Sequence, residues 1–382
     1  MEPRPARCPC RLLVLGAGAG QLGLLQAART RGAFVMAVDR DPRAPGFRYA
    51  DRRALVSLDD ETALERLAEA VRVDGVVAPG SDLAVGAAAR IATRLGLPHP
   101  LSPAAAVLAS SSLRQRERLA EAGVPQVFWK LIRRPDDELG FPCVVKPADR
   151  QGSRGRSLVL QAEQLGPAVQ RARQASRSGL CLIEQVVEGP EVRVTAFSVG
   201  GVFHPLTVAE RLPDGVVWPG GGAGSATALA ERSASALGIQ EGPTSTRIRF
   251  TAHGPRVIAV AARLGGAHDA ELCLAAMAVD LSALALAAAL GEEIEPKRLQ
   301  PRPRIGGACV RFLRPSLEEP YHVDGVAQAE RIDGVAWVLT YRASGRAGAV
   351  LATGPSAAEA RARAARAAEC IRFRPVDAQA VA

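Results

Sequence analysis

The residues best suited to chemistry lie in Phe141-Pro-Cys-Val-Val-Lys146-Pro-Ala-Asp-Arg-Gln-Gly152-Ser153-Arg-Gly155, where a lysine ends an apolar run and a glycine-rich segment follows at once. A lysine carries a compact charge on a long stem, and glycines let a turn bring backbone N–H groups against phosphate oxygens without a Cβ in the way. The chain has three lysines, Lys130, Lys146 and Lys297, against forty-five arginines, so a lysine here runs against the compositional bias. Thirty-eight residues on, Leu182-Ile-Glu184-Gln-Val-Val187 is a second apolar run containing an acid, and Gly189-Pro190 separates it from another acid, Glu191. An ionised carboxylate only accepts hydrogen bonds, which suits an exocyclic amine or a diol, and backbone groups beyond a strand can pair with a purine edge.

In this order and spacing the segments resemble the ATP-grasp superfamily. The resemblance runs from about Arg11 to Phe373. Its detail is nearest the carboxylate-amine ligase branch in Val73-Asp-Gly-Val-Val-Ala-Pro-Gly-Ser-Asp82, Ala122-Gly-Val-Pro125, Gly242-Pro-Thr-Ser-Thr246 and Ala262-Arg263-Leu-Gly-Gly266. The resemblance implies ATP as cofactor. Lys146 and the loop with Gly152, Ser153 and Gly155 would cover the phosphates, Glu184 and Val187 would meet the adenine amino edge, and Glu191 the ribose hydroxyls. It also implies that a carboxylate is phosphorylated and then attacked by an amine, often an amino acid, with Arg263 at the phosphate or acyl phosphate. The expected partners are therefore small-molecule carboxylate and amine substrates or their analogues, with room for a homodimer.

The family's magnesium ligands are missing from their expected places. Two carboxylates and often an asparagine belong on the hairpin formed by Thr244–Phe250 and Val257–Arg263, but those positions hold Arg247, Ala259 and Ala261. Magnesium takes oxygen ligands, and a guanidinium has no acceptor and keeps its charge, so Arg247 repels a cation where the family binds one. A further family lysine is expected four residues before Arg116, where Ser112 stands. Two readings stay open: a non-catalytic relative that still binds nucleotide, which is favoured, or an active ligase in which Asp269, Glu271 or Glu210 recruits a displaced ion.

A third reading comes from Gly16-Ala-Gly18-Ala-Gly20-Gln-Leu-Gly23 between the strand-like Arg11–Leu15 and a helical pattern, with Asp39 after the next strand. This matches a dinucleotide fingerprint and would suit an NAD-dependent oxidoreductase. The rest of the chain favours a structural role for these glycines, as a tight turn and a close backbone contact.

The chain of 382 residues has room for two or three domains, and with 4% aromatic residues its cores must be built from Ala, Val and Leu. The net charge of +9 is spread along the chain without an aromatic stacking motif, which argues for small anionic ligands over nucleic acid. Seven irregularly spaced cysteines read as reduced thiols of a cytoplasmic protein. The richest apolar run, Leu272–Leu290, reads as one core helix rather than a membrane span, because Asp280 interrupts it.

The expected fold class is α/β. An amino-terminal open parallel α/β domain (pre-ATP-grasp, Rossmann-like) covers residues 1–110. A two-lobed ATP-grasp α+β domain covers 111–295, with lobes of about 111–192 and 193–295, and a small carboxy-terminal α+β domain covers 300–382. Pro219–Gly224 reads as a mobile surface loop or, more pointedly, a substrate lid, and His268 as part of a solvated loop.

Overall fold

Apolar runs without polar alternation form strands covered on both faces, and Leu12–Leu15 and Val35–Val38 are buried throughout. The computed structural model describes residues 9–132, 139–149, 155–315, 321–343 and 345–375. It places these runs in β1 (Arg11–Leu15) and β2 (Phe34–Val38), with α1 (Leu22–Thr30) between them. With β3 (Arg52–Ala54), α2 (Glu61–Val71) and β4 (Gly75–Val77) they build a parallel sheet in the order β3-β2-β1-β4. Alanine-rich helices α3 (Asp82–Arg94) and α4 (Pro103–Ser110) pack beside it, as the open parallel α/β expectation requires.

Helix α5 (Ser112–Glu121) leads into an antiparallel lobe built from β5 (Trp129–Ile132), β6 (Cys143–Pro147), β7 (Ser157–Val159), α6 (Leu165–Ala175) and β8 (Cys181–Gln185). Its strand order is β5-β8-β6-β7. Side chains alternate across a strand, and Cys143, Val145, Cys181 and Ile183 pack in one core with Leu165, Ala168 and Ala172 of α6. Lys146 and Glu184 are out of phase with that set, so both project from the opposite face of the sheet.

The second lobe starts with β9 (Glu191–Val199), β10 (Val202–Leu212) and β11 (Gly215–Trp218), then α7 (Ala223–Ala236) and the hairpin β12 (Gly242–Thr251) and β13 (Gly254–Ala261). After α8 (Asp269–Met277) and α9 (Leu281–Ala289) come β14 (Gly307–Leu313), β15 (Tyr321–Asp324), α10 (Val326–Glu330), β16 (Val335–Ala343), β17 (Arg346–Gly354), α11 (Ala357–Cys370) and β18 (Arg372–Pro375). One antiparallel sheet runs β13-β12-β9-β10-β11-β14-β17-β16, so the carboxy-terminal strands continue the sheet of the second lobe.

Three local expectations are corrected. The run Leu272–Leu290 is two helices bent by 117°, because Ala278 adopts a left-handed conformation and the Asp280 carboxylate accepts from the Ala283 N–H, capping a new helix. Among the described residues no single helix is long and apolar enough to cross a membrane. The glycine run after Trp218 is short and pinned, since the Gly220 N–H donates to the Val208 carbonyl at 2.7 Å and α7 begins at Ala223. His268 is buried against Phe312, Trp337 and Tyr341, with its Nε2 3.2 Å from the Tyr341 hydroxyl.

Candidate functional site

Lys146 and Glu184 meet in the cleft. Strand β6 pairs with β8 so that Lys146 lies opposite Leu182, one diagonal from Glu184, and its Nζ reaches Glu184 Oε1 at 2.7 Å. The same oxygen accepts from Arg116 Nε at 2.7 Å. Arg116 is fully buried, and its remaining donors reach Gln126 Oε1 at 3.0 Å and the carbonyls of Val257 and Ile258 at 3.1 and 2.7 Å. Ile258 is the extra residue of a bulge in β13, since Arg247 pairs with Ala259 and Ile248 with Val257, which frees its carbonyl for Arg116. Neighbouring Gln115 bonds both the N–H and the carbonyl of Val260, so α5 covers the exposed edge of β13 and ties the lobes together.

Burial alone would raise the Glu184 carboxyl, but Arg116 and Lys146 override it and hold it at about 2. Burial pushes the Lys146 ammonium down to about 8, with Glu184 pulling the other way and Arg116 and Arg156 adding to the depression.

On the second lobe the register of β9 with β12 sets Arg247 opposite Arg193 and Arg249 opposite Glu191. Arginines side by side repel, and a carboxylate between them relieves the charge. Glu191 Oε1 accepts from Arg247 Nε at 2.8 Å, Glu191 Oε2 accepts from Arg249 at 2.6 Å, and Arg211 stands 3.6 Å from Oε2. Burial would raise this carboxyl, yet Arg247, Arg249 and Arg211 bring it to about 2. Arg249 also donates to the Val187 carbonyl at 2.9 Å. Both acids expected to meet a nucleoside, and the backbone group expected at the adenine edge, are thus bonded to cationic side chains.

These strands enclose a cavity of about 310 Å³. Among the described residues Arg116, Lys146, Arg156, Arg193, Arg211, Arg247, Arg314 and Arg346 line it, with Glu184 the one carboxylate in its wall and Ser112 also present. Glu191 and Asp269 stand behind the arginines they pair with. Burial, then Arg247, pushes the Arg156 guanidinium below its ordinary value, and Arg211 adds to this. Burial does the same to Arg346, with Tyr341 pulling the other way and Arg314, Arg193 and Arg211 adding to the depression. Uncompensated positive charge in a partly enclosed space favours an anionic ligand.

Of the remaining residues expected at the site, Gly155 follows the loop in a left-handed conformation, and Gly152 and Ser153 lie outside the described residues. Arg263 is not in the cavity wall: its Nε and Nη2 donate to both oxygens of Asp82 at 2.8 and 2.9 Å, joining the second lobe to the start of α3. Magnesium does not fit the expected positions, because Arg247 points its donors at Glu191 and Ala259 and Ala261 offer no side-chain oxygen. Asp269 is engaged by Arg193 at 2.9 Å and by the Ser245 hydroxyl at 3.1 Å, and Glu271 faces His268 Nδ1 at 3.5 Å. Glu210 alternates away from Arg211 and so leaves the cavity face. No group of three potential metal ligands occurs among the described residues. At the amino terminus, Asp39 accepts from the N–H groups of Ala17 and Asp41, and the Gln21 side chain fills the space against Gly80, where a Cβ would lie 1.9 Å from its Nε2. Gln21 also lies against Gly16 and Gly18, within the glycine turn.

A lysine strand, a facing acid and an antiparallel second lobe closing on a common cleft give the chain the fold of the ATP-grasp carboxylate-amine ligases among solved structures. Residues 118–218 match the family model described as D-ala D-ala ligase C-terminus. A formate-dependent phosphoribosylglycinamide formyltransferase of Burkholderia thailandensis is 29% identical, with 97% of each chain covered. An uncharacterized protein of Sinorhizobium fredii is 27% identical over 91% of this chain and 81% of its own. Among solved structures, an L-amino acid ligase from Bacillus licheniformis superposes with a TM-score of 0.82 at 20% identity, covering 96% of this chain and 99% of that one. The N5-carboxyaminoimidazole ribonucleotide synthetase of Thermotoga maritima gives 0.76 at 18%, covering 96% and 100%.

Proposed function

We propose that this protein keeps the inter-lobe cavity of an ATP-grasp ligase but uses arginines in place of magnesium to bind a phosphate-bearing ligand, and does not catalyse ligation. The observation that carries the reading is the exchange at the metal site, where Arg247 and two alanines replace oxygen ligands while cations crowd the wall around Lys146. Phosphoryl transfer in nucleotide-dependent enzymes relies on metal ions that bridge the β- and γ-phosphates and help set the in-line geometry. Guanidinium forks neutralise phosphate charge and fix its orientation, but they supply no coordination sphere for the transfer. The Arg263–Asp82 pair supports the same reading, since it ties up the side chain expected at an acyl phosphate. Kinship suggests ligands drawn from carboxylate and amine substrates of the ligases, or phosphorylated analogues of them.

A thermal-shift screen with ATP and inorganic tripolyphosphate, each with chelator and with magnesium, tests the binding. Assay of ADP release in the presence of formate and an amine tests the chemistry. Stabilisation without magnesium and no ADP release are expected. Stoichiometric, substrate-dependent ADP release that disappears in Lys146→Ala would overturn the proposal.

A further inference from the structure

We infer that the cavity's ligand is a compact oligophosphate without a nucleoside, because the acceptors of the ancestral adenosine half are engaged by the chain's own cations. This deepens the proposed function and rests on it. Recognition of adenosine by this architecture would need a free carboxylate near the ribose and a free backbone edge near the purine. Both oxygens of Glu191 already accept from Arg247 and Arg249, and the Val187 carbonyl accepts from Arg249. Glu184 Oε1 accepts from both Arg116 and Lys146.

A ribose diol brings neutral hydrogen bonds. At Glu191 it must share a carboxylate already bonded to two guanidinium groups, or displace one of them and leave it beside Arg193, Arg156 and Arg211. Hydrogen bonds between ionised partners are roughly twice as strong as neutral ones, so displacement is unfavourable, and a carboxylate already neutralised by two cations is a weaker acceptor for a shared bond. An oligophosphate needs neither. Glu191 continues to brace Arg247 and Arg249, while Arg156, Arg314 and Arg346 line the cavity beside Lys146 and Arg211. Among the described residues, eight cations in the wall, set against Glu184, Glu191 and Asp269, leave an excess of positive charge that one phosphate group does not balance. Arginine forks also match phosphate oxygens in pairs, which a lone ammonium does not.

Calorimetric titration of the full chain in chelator with tripolyphosphate, ATP and adenosine tests this, together with Arg249→Gln, which removes the guanidinium from the Val187 carbonyl and leaves Glu191 Oε2 only the longer contact to Arg211, at a residue outside the cavity wall. For the native chain tripolyphosphate should bind at least as tightly as ATP, and adenosine should not bind. Arg249→Gln should shift the ATP-to-tripolyphosphate affinity ratio toward ATP by about fivefold or more, a difference of about 1 kcal/mol, and leave tripolyphosphate unchanged. ATP binding the native chain tenfold more tightly than tripolyphosphate, or adenosine binding alone, would overturn the inference while leaving metal-free phosphate binding intact. Failure of both phosphates to bind would remove the proposed function as well.

Discussion

Replacing Arg116 by methionine should cost the fold about 4 kcal/mol, because breaking one side of a buried ion pair costs about 3–5 kcal/mol. Arg116 is 1% exposed and spends its donors on Glu184, Gln126 and the carbonyls of Val257 and Ile258, so it joins α5, the first lobe and the edge of the second. Methionine fills much of the volume and supplies none of these bonds. Glu184 would keep only Lys146, which itself faces the cavity. The assay is equilibrium urea denaturation of the native chain, Arg116→Met, Glu184→Gln and the double variant. A coupling of about 2 kcal/mol between the two positions is expected, within the usual range for contacting charged residues. Arg116→Lys should recover part of the loss, since an ammonium keeps the charge but not the planar fork. A cost for Arg116→Met below about 1 kcal/mol, the value of an ordinary exposed pair, would refute the buried clamp.

Acid should weaken the protein in a defined window. The folded carboxyls of Glu184 and Glu191 lie at about 2 against an ordinary 4.5, so their stabilisation is complete above about 4.5 and is lost as the pH falls toward 2. Denaturation midpoints measured across that window should fall, less steeply in Glu184→Gln. With Lys146 at about 8 in the free protein, tripolyphosphate affinity measured by calorimetry should decline as the pH rises through that value, and Lys146→Met should remove this step. Gly189 has φ +119° and an added Cβ would lie 1.8 Å from the Phe250 carbonyl oxygen, so Gly189→Ala should lower stability by about 2 kcal/mol or more in urea titration. Asp82→Asn leaves the Arg263 guanidinium without its carboxylate at the domain junction and should lower the melting temperature by several degrees, by a loss of about 3 kcal/mol.

Local sequence carried the strands and their faces well. The apolar runs around Val14 and Val35, the lysine that ends β6 and the hairpin around Thr251 were readable because each depends on neighbours a few residues away. The meeting of Lys146 with Glu184 was also within reach, since alternation along β6 and β8 puts both out of phase with the helix-packed residues. The identity of Glu191's partners was not. Arg211, Arg247 and Arg249 arrive from two other strands, and their convergence depends on the registers of β9 with β10 and β12. The glycine fingerprint was ambiguous for a related reason, because the contact of Gln21 with Gly16, Gly18 and Gly80 depends on how the turn folds. Hydropathy could not divide α8 from α9, as the apolar run Leu272–Leu290 spans both and the break lies in one left-handed alanine and one capping aspartate. The pairing of β11 with β14, which carries the sheet into the carboxy-terminal segment, joins residues far apart in sequence and leaves no local pattern.

The affinity of the native protein for tripolyphosphate, followed while free magnesium is raised from none, tests the central claim most directly. If guanidinium groups have taken over the cation's role, binding is strongest without the metal and weakens as magnesium competes for the ligand. Binding that is absent in chelator and appears as magnesium is added would contradict the account.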